Sequence, residues 1–530
     1  MSIRLLLGDE ALAQAALDAG VSGCYAYPGT PSTEIMEYFQ SSPEAARRNV
    51  QRSWSSNEKV AMEEALGMSY AGKRSLVCMK HVGLNVAADA FVNSAITGSH
   101  GGLLVAVADD PSMHSSQNEQ DSRFYAQFAM LPCLEPSSQQ EAYDMVSYAF
   151  ELSESQRVPV LFRLTTRLSH SRANVRLSRE KSPERELSEP EDARRFILLP
   201  GIARQNYARL CDQQADFAAA SASSPFNRYI DADDKRYGII CCGLAYNYVQ
   251  EAFAEQCPYP LLKVCQYPLP QAELQKLFKE CEQIMVVEEG MPFIEQQLRG
   301  PLANPRIKGR LSGDLPRVGE LNPRLLSQAF KLPLAQIAPE SELLRQRPPR
   351  LCDGCPHTNT YEALNEARQQ FPQAKVFGDI GCYTLGALPP HKAIASCLDM
   401  GASISMAKGA ADAGLQQAIA VIGDSTFTHS GMTGLLDAVW QDSPITVIIV
   451  DNDTTGMTGG QDSMGSGGRL DDICKGIGVN PEQLKVIVPL PKNHRENVQT
   501  ITEALAHQGL SVIIARRECV QTLRKKVKRA

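Results

Sequence analysis

The residues best suited to chemistry lie at the ends of two apolar runs in the last third of the chain. AIAVIGD (418 to 424) ends at Asp424, and ITVIIVDN (445 to 452) ends at Asn452, with a helix-length segment between them. In a right-handed parallel crossover both strands end at the same edge of the sheet, so we expect these two side chains to meet there. A carboxylate, an amide oxygen and the backbone carbonyl of Thr454 are hard oxygen donors that suit Mg²⁺.

The residues beside Asp424 are suited to holding an anion. Gly423 allows the backbone to approach phosphate groups closely, and Ser425 and Thr426 supply hydroxyl donors. The helix that follows presents free N–H groups toward the same place. Thr455 opens the loop TGMTGGQ and is a further candidate contact for a cofactor. The pattern predicts a diphosphate site with its metal ion; Gly-Asp-Ser taken alone would also fit a generic strand-to-helix turn with an acidic N-cap.

Alternating apolar and helix-length segments must position these residues. The chain has 530 residues, of which 43% are hydrophobic and 21% charged, so it is too long for one core and too apolar to be disordered. Further short apolar runs are GLLVAVA (102 to 108), VPVLFRL (158 to 164), YGIICCG (237 to 243) and QIMVVEEG (283 to 290). Buried strands that alternate with helices predict an α/β fold with parallel sheets and helices on both faces. We expect α/β units at 1–195, 236–335 and 345–530, with a polar linker or excursion at 196–235.

Composition excludes several classes of protein. A net charge of −7 gives no overall field that would attract nucleic acid or an anionic membrane. The first twenty residues fit neither a signal peptide nor a membrane span, so a cytoplasmic protein is expected. Fifteen cysteines in such a protein argue against a disulfide framework and raise the question of a metal or a cluster.

Several motifs together resemble those of one enzyme family. Gly-Asp-Ser followed by Asn452 is similar to the thiamine-diphosphate motif, with Ser425 in place of the usual second glycine. Tyr-Pro-Gly-Thr-Pro-Ser (27 to 32), KHVGLN (80 to 85) and LCDGCPH (351 to 357) are also similar to family strings. The chain resembles the alpha (large) subunit of indolepyruvate:ferredoxin oxidoreductase, a thiamine-diphosphate-dependent 2-oxoacid oxidoreductase. The resemblance implies three domains with transketolase-like folds. The first binds the pyrimidine, the second is similar to the transketolase C-terminal domain, and the third binds the diphosphate.

The resemblance also implies roles for residues in the first predicted unit. The family's activating glutamate, which protonates the aminopyrimidine ring, corresponds to Glu58. Thr30 corresponds to the threonine beside the carbonyl and carboxylate of the substrate, although its segment would also serve as a proline-set turn before a helix. Arg123 lies in a long polar loop and could pair with the substrate carboxylate, or it could form a structural salt bridge.

A set of cysteines corresponds to the ligands of an iron–sulfur cluster in related pyruvate and oxoglutarate oxidoreductases. They are Cys352, Cys355, Cys382 and Cys519, and four converging thiolates are what a [4Fe–4S] cluster requires. Gly381 and Cys382 are also candidate contacts for the cofactor. The alternative to the cluster is a structural zinc site or a turn at Cys352 and Cys355, with Cys382 only contacting the cofactor.

The implied reaction is the oxidative decarboxylation of an aryl-pyruvate such as indolepyruvate to an acyl-coenzyme A. The two runs of cysteines typical of the family's ferredoxin-like tail are not found in this sequence, so electrons are expected to pass to ferredoxin or another acceptor. A smaller beta- or gamma-type subunit and a homodimer or heterotetramer are also implied. A non-oxidative thiamine-dependent decarboxylase or carboligase, and a catalytically silent subunit, are the alternatives.

Overall fold

The computed structural model describes residues 2–178, 180–334, 341–345 and 348–529. The chain divides into two compact units, Met1–Pro339 and Glu340–Ala530. The predicted boundary between the second and third domains, at 335 to 345, lies largely outside the described residues, and the domain boundaries stay a prediction.

Two mainly parallel sheets and one antiparallel pair of strands, distant in sequence, form the first unit. Its strands are β1 (Ser2–Leu7), β2 (Gly23–Ala26), β3 (Gln51–Trp54), β4 (Ser75–Lys80), β5 (Leu103–Asp109), β6 (Cys133–Leu134), β7 (Val160–Thr165), β8 (Arg172–Leu177), β9 (Arg228–Ile230), β10 (Tyr237–Cys242), β11 (Leu261–Val264), β12 (Gln266–Tyr267), β13 (Gln283–Val287) and β14 (Ile307–Lys308). The seven-stranded sheet has the order β12-β6-β7-β5-β4-β2-β3, the five-stranded sheet the order β14-β13-β10-β11-β9, and β1 pairs with β8. Only the edge strands β12 and β9 run antiparallel within the two larger sheets.

Helices join the parallel strands of this unit, as the crossover rule requires. They are α1 (Gly8–Asp18), α2 (Thr33–Ser41), α3 (Pro43–Arg47), α4 (Glu58–Tyr70), α5 (His81–Thr97), α6 (Ser122–Ala129), α7 (Gln139–Gln156), α8 (Thr166–His170), a 3₁₀ turn (Ala193–Phe196), α9 (Pro200–Asp212), α10 (Gln214–Ala222), α11 (Ala245–Ala252), α12 (Gln271–Glu280), α13 (Phe293–Arg299) and α14 (Pro323–Ala329).

The second unit has one six-stranded sheet in which every pair of neighbours is parallel. Its strands are β15 (Lys375–Gly378), β16 (Ser396–Cys397), β17 (Ala418–Gly423), β18 (Ile445–Asp451), β19 (Leu484–Ile487) and β20 (Ser511–Arg516), in the order β16-β15-β17-β18-β20-β19. Its helices are α15 (Pro356–Arg368), α16 (Ala402–Asp412), α17 (Asp424–Thr426), a π-helical turn (Phe427–Gly431), α18 (Met432–Trp440), α19 (Leu470–Ile477), α20 (His494–Ala506) and α21 (Val520–Arg529), with 3₁₀ turns at Cys382–Ala387, Pro481–Gln483 and Pro491–Asn493.

The predicted α/β fold is confirmed, and each of the apolar runs forms a strand. All residues of β5, β17 and β18 are buried. Helices cover both faces of such sheets, which explains why the runs are continuously apolar and do not alternate. By contrast, β3 alternates between exposed and half-buried residues at the edge of its sheet and carries no apolar run that would reveal it.

The segment 196–235 differs from the predicted linker. It contains α9, α10 and the edge strand β9, and Leu210 and Phe217 of the two helices are buried against the rest of the first unit. The Arg209 guanidinium donates to the Ile96 carbonyl, and the Ser221 hydroxyl donates to the Pro268 carbonyl. The segment is polar because each of its helices buries only one narrow face. Its composition is therefore similar to that of a linker.

Within the part of the chain that the structure describes, no helix combines the length and the apolar composition needed to cross a bilayer.

Candidate cofactor and metal site

The ends of β17 and β18 bring together the three groups predicted to bind a metal ion. The strands are paired neighbours, and Gly423 lies opposite Val450. The side-chain amide of Asn452 lies 3.2 Å from Oδ1 of Asp424 and 2.8 Å from the carbonyl oxygen of Thr454. The backbone N–H of Thr454 donates to Oδ2 of Asp424 at 3.0 Å, which fixes the loop against the carboxylate.

The orientation of the Asn452 amide determines what this arrangement can do. If the amide nitrogen faces the two oxygens, it donates a hydrogen bond to each of them. If the amide oxygen faces them, Nδ2 lies 3.3 Å from Nε2 of His357, and oxygens of three residues converge without a proton between them. Neighbouring oxygens in an octahedral Mg²⁺ shell are about 3 Å apart, as follows from Mg–O distances of about 2.0–2.1 Å. In this second orientation the spacing fits a bound cation, and the donor set then suits Mg²⁺.

The environment of Asp424 penalises an uncompensated charge. Its side chain is only 2% exposed. Burial, with the nearby Asp451 carboxylate, raises the pKa of Asp424 to about 8. A cation at this place would offset both effects and hold the carboxylate in its charged form.

Two of the predicted hydroxyl groups bind other parts of the same edge. The Ser425 hydroxyl lies 2.8 Å from the Thr455 hydroxyl, so the loop after each strand contacts the other. The Thr426 hydroxyl donates to the Ile380 carbonyl at 2.9 Å. Its hydrogen therefore ties this turn to the segment after β15 and does not serve an anion in this arrangement. The helix widens into a π-helical turn immediately afterwards, a feature that is frequent at functional sites.

The Tyr383 ring occupies the space beside the two glycines at this edge. A Cβ at Gly381 would lie 2.2 Å from the Tyr383 ring, and a Cβ at Gly423 would lie 2.6 Å from it. The ring is buried, and its hydroxyl donates to Asp379, which also accepts from the Ser403 hydroxyl at 2.6 Å. Gly381 and Gly423 are thus required by a packed tyrosine that orders both loops.

The four predicted cluster cysteines lie together in the second unit. Burial, together with the negative charge on neighbouring groups, raises the pKa of the Cys382 thiol to about 12; these groups are Cys355, Cys519, Cys352 and Asp424. Cys352 and Cys355 belong to one turn, in which the Cys355 N–H donates to the Cys352 carbonyl at 3.0 Å. The thiols also lie beside the metal site, because the Cys519 N–H donates to the Asn452 carbonyl at 3.0 Å.

The first unit places Thr30 and Glu58 at the carboxyl edge of its larger sheet. Thr30 follows β2, and Glu58 is the first residue of α4, which begins after β3. Lys80 at the end of β4 links the two: its Nζ donates to the carbonyl of Ser115, whose hydroxyl donates to the Thr30 carbonyl. Burial lowers the pKa of Lys80 to about 8, against the opposing effects of Asp110 and Glu58.

Gly83 makes room for the Glu58 side chain. A Cβ at Gly83 would lie 2.5 Å from Oε1 and 2.7 Å from Cγ of Glu58, so the whole side chain would have to move. We expect Gly83→Ala to lower kcat about tenfold or more while the protein stays folded, because small displacements of a catalytic group are costly. Gly67→Ala is the matched control, since nothing lies within 4 Å of its added Cβ and alanine favours the helix. Equal kcat for the two variants in steady-state assays would contradict this role of Gly83.

Arg123 does not have the predicted position for binding a substrate. It is 1% exposed, and its guanidinium donates to Asp121, to the Tyr267 hydroxyl and to the carbonyls of Glu289 and Met291. It also pairs with Glu288 at 3.0 Å. The structure corrects the assignment in favour of the alternative, a structural salt bridge, which joins the segment after β5 to the segment after β13.

Removing Arg123 should destabilise the first unit strongly. Arg123→Met leaves the buried carboxylate of Glu288 without its ion-pair partner and leaves Asp121 with Arg163 alone. Losing one member of a buried pair costs about 3–5 kcal/mol. Arg194→Met removes an arginine that is 84% exposed in its ion pair and should change the free energy of unfolding by less than about 0.5 kcal/mol. Denaturant unfolding of both variants measures the difference; similar midpoints would contradict the structural role.

Comparisons with known proteins agree with the motifs. Residues 14–213 match the sequence model described as pyruvate flavodoxin/ferredoxin oxidoreductase, thiamine diP-binding, and residues 379–515 match that of the thiamine pyrophosphate enzyme, C-terminal TPP binding domain. The chain is 39% identical to indolepyruvate oxidoreductase subunit IorA of Archaeoglobus fulgidus over 97% of this chain and 86% of that protein. The IorA subunit of Pyrococcus abyssi is 38% identical, over 97% and 85%.

The chain belongs to the indolepyruvate oxidoreductase IorA family. The family prediction is confirmed, and with it the prediction of a thiamine-diphosphate-dependent catalytic subunit of a 2-oxoacid oxidoreductase. Among solved structures, a 2-oxoglutarate:ferredoxin oxidoreductase from Magnetococcus marinus is similar with a TM-score of 0.48 and 16% identity, over 62% of this chain and 65% of that one.

Three residues at the site of this IorA-family chain received no role from the sequence. They are His357, Asp379 and Tyr383. Burial lowers the pKa of His357 to about 4, so a neutral imidazole faces Asn452. Burial raises the pKa of Asp379 to about 6. His357 ends the string LCDGCPH, and Asp379 lies two residues before Gly381, so their closeness to predicted site residues was the available signal.

Proposed function

We propose that this chain catalyses the coenzyme A-dependent oxidative decarboxylation of an aryl-pyruvate such as indolepyruvate, and passes the electrons through a [4Fe–4S] cluster to ferredoxin or another acceptor. The observation that carries the proposal is the junction at Asn452. Its side chain belongs to the predicted metal site, and its backbone carbonyl accepts a hydrogen bond from the N–H of the cluster cysteine Cys519. A cofactor diphosphate and an electron acceptor would thereby share one edge of one sheet.

Thiamine diphosphate, when bound, supplies an electron sink for the decarboxylation. The residues of this chain would hold and orient it. Asp424, Asn452 and the Thr454 carbonyl would bind Mg²⁺, which in turn binds diphosphate oxygens. Glu58 would hold a proton on its carboxyl group for the pyrimidine ring, and Thr30 would donate its hydroxyl hydrogen to the substrate.

The spacing of the cysteines favours a cluster over a zinc ion. Tetrahedral Zn²⁺ at about 2.3 Å from each sulfur keeps its ligands about 3.8 Å apart. Among the residues that the structure describes, the one group of three or more histidine, cysteine or acidic ligand atoms within 4.8 Å of one another contains no cysteine. Four thiols that influence one another electrostatically but stand farther apart suit the larger cluster.

Replacing one of the four cysteines should remove the cluster. Cys382→Ser is expected to lose most of the iron and acid-labile sulfide bound to the anaerobically purified protein, together with its visible absorption band, because serine is a poor cluster ligand. Cys211→Ser changes an exposed cysteine in α9 and should retain both. The same iron content in the two variants, or none in the parent protein, would contradict the cluster assignment.

The partners in this proposal follow from the family. The relatives are named as subunits, which supports a partner subunit for this chain. We propose that this partner is smaller and that the assembly is a heterotetramer; a homodimer of this chain is the other proposed assembly. Coenzyme A, an external electron acceptor and a cytoplasmic location complete the proposal.

The experiment that tests the function uses the chain copurified anaerobically with its small subunit. A panel of 2-oxoacids is assayed with coenzyme A and a viologen dye, and indolepyruvate and phenylpyruvate are expected to give the highest kcat/KM. Higher kcat/KM with pyruvate or 2-oxoglutarate would overturn the substrate class. Release of aldehyde by protein that lacks iron and reduces no dye would instead establish the non-oxidative decarboxylase.

A further inference from the structure

A second group of potential metal ligands lies in the first unit. Asp9 is near the start of α1, Glu34 is near the start of α2, and His170 is the last residue of α8. Each offers one ligand atom, and the three atoms lie within 4.8 Å of one another. His170 Nε2 is 3.4 Å from Oε2 of Glu34. Residues from three different helices thus converge on one point.

Asp9 is the member of this group that requires explanation. Its side chain is 0% exposed, and neither of its carboxylate oxygens has a partner with good hydrogen-bond geometry, although the nearby Ser169 hydroxyl stabilises its charged form. Oε2 of Glu34 faces the His170 ring as its partner. Burying a carboxylate without a partner is expensive, so such groups are usually paired or bound to a metal ion. The carboxylate oxygens of Asp9 and Glu34 face the same place as the His170 ring.

The local sequence holds Asp9 in this position. A Cβ at Gly8 would lie 2.3 Å from the Leu168 carbonyl oxygen, so the missing side chain lets α1 press directly on α8. The adjacent Glu10 caps the helix by accepting from the Leu7 N–H at 2.9 Å. Asp9 is therefore free of the usual capping role of an acidic residue in the first helical turn.

The charges around the group favour a cation. Two further acidic residues lie close enough to act on the group electrostatically: Glu10 acts on Asp9, and Asp110 acts on His170. His170 provides the group's single positive charge when it pairs with Glu34, and that leaves Asp9 uncompensated. A divalent ion would offset both carboxylates and leave the imidazole neutral as a ligand.

We propose that Asp9, Glu34 and His170 form a binding site for a divalent cation of the Mn²⁺ type, separate from the site at Asp424. Carboxylate and imidazole ligands suit such ions, whereas thiolates select softer metals. The ion would join α1, α2 and α8. Because α2 begins directly after Thr30, Pro31 and Ser32, the ion would also fix the segment that carries the predicted substrate contact. The inference concerns binding and does not depend on turnover.

The test measures Mn²⁺ binding alone, with no thiamine diphosphate. The full chain carrying Asp424→Asn, which removes the other site, is freed of metal by chelation and titrated with Mn²⁺ while the free ion is followed by electron paramagnetic resonance. One Mn²⁺ per chain is expected. Adding Asp9→Asn or His170→Gln should weaken binding at least tenfold. His494→Gln is the matched control, because His494 and Glu366 form a histidine–carboxylate pair at 2.8 Å that no third ligand joins among the described residues.

Two results would overturn the proposal. One is no uptake of Mn²⁺ by the parent protein, and the other is equal uptake by the protein with and without Asp9→Asn. Thermal unfolding separates binding from misfolding: Mn²⁺ should raise the Tm of the parent and, at the same concentration, raise that of the Asp9→Asn protein by much less. Burial raises the pKa of Asp9 to about 8. If the parent bound no Mn²⁺ and the Asp9→Asn variant had a higher Tm than the parent, Asp9 would be an ordinary protonated acid.

Discussion

The Asp424→Asn variant is expected to lose turnover and to bind thiamine diphosphate with Mg²⁺ at least about 100-fold more weakly than the parent chain. Asp424 supplies the one full negative charge among the three groups that converge at the ends of β17 and β18. Asparagine keeps the volume but leaves only neutral oxygens, and a neutral set binds a hard dication poorly. Equilibrium binding by quenching of intrinsic fluorescence and steady-state assays measure the two effects.

Asp437→Asn is the matched control for this substitution. Asp437 lies on α18, which follows the same strand, and its side chain is 56% exposed in an ion pair with Lys408. The Asp437→Asn variant should bind the cofactor with the affinity of the parent and have the same kcat. Parent-like cofactor affinity in Asp424→Asn would mean that the diphosphate is held elsewhere, whereas an equal loss in both variants would point to a general loss of structure.

Glu58→Gln is expected to lower kcat by about 10²–10⁴-fold while cofactor affinity changes by no more than a few-fold. The side chain is 5% exposed and confined against Gly83, so glutamine can occupy the same space but cannot exchange a proton. The loss should therefore appear in the chemical step and not in binding. Stopped-flow assays with saturating cofactor and calorimetry separate the two quantities.

Glu63→Gln tests whether any acidic residue of α4 would give this effect. Glu63 is 48% exposed in its pair with Lys59 and should be replaceable without loss of kcat. If Glu58→Gln retained full kcat, the assignment of Glu58 as the activating acid would be wrong. If Glu58→Gln lost cofactor binding in proportion to kcat, Glu58 would serve binding and not proton transfer.

The sequence was most informative where topology alone decides position. Asp424 and Asn452 follow continuously apolar strands, and the right-handed crossover leaves them at one edge, where the structure has them. The four cysteines were found through the family motifs, since nothing local relates Cys519 to Cys382. In both cases, the strength of the inference came from several distant features that agree.

The sequence was least informative where packing decides the role of a residue. An arginine in a polar loop has the same composition whether it faces a substrate or, like Arg123, a buried set of carboxylates. Gly423 follows the motif, but the side chain that requires a glycine there is the Tyr383 ring. The convergence of Asp9, Glu34 and His170 depends on three helices whose mutual positions no local pattern specifies.

Calorimetric titration of the metal-free chain with thiamine diphosphate, in the presence of Mg²⁺ and then of excess chelator, tests the central claim most directly. The convergent oxygens of Asp424, Asn452 and Thr454 predict one cofactor per chain when Mg²⁺ is present and at least about 100-fold weaker binding when it is removed. Binding of equal affinity under the two conditions, or no binding with Mg²⁺, would contradict it.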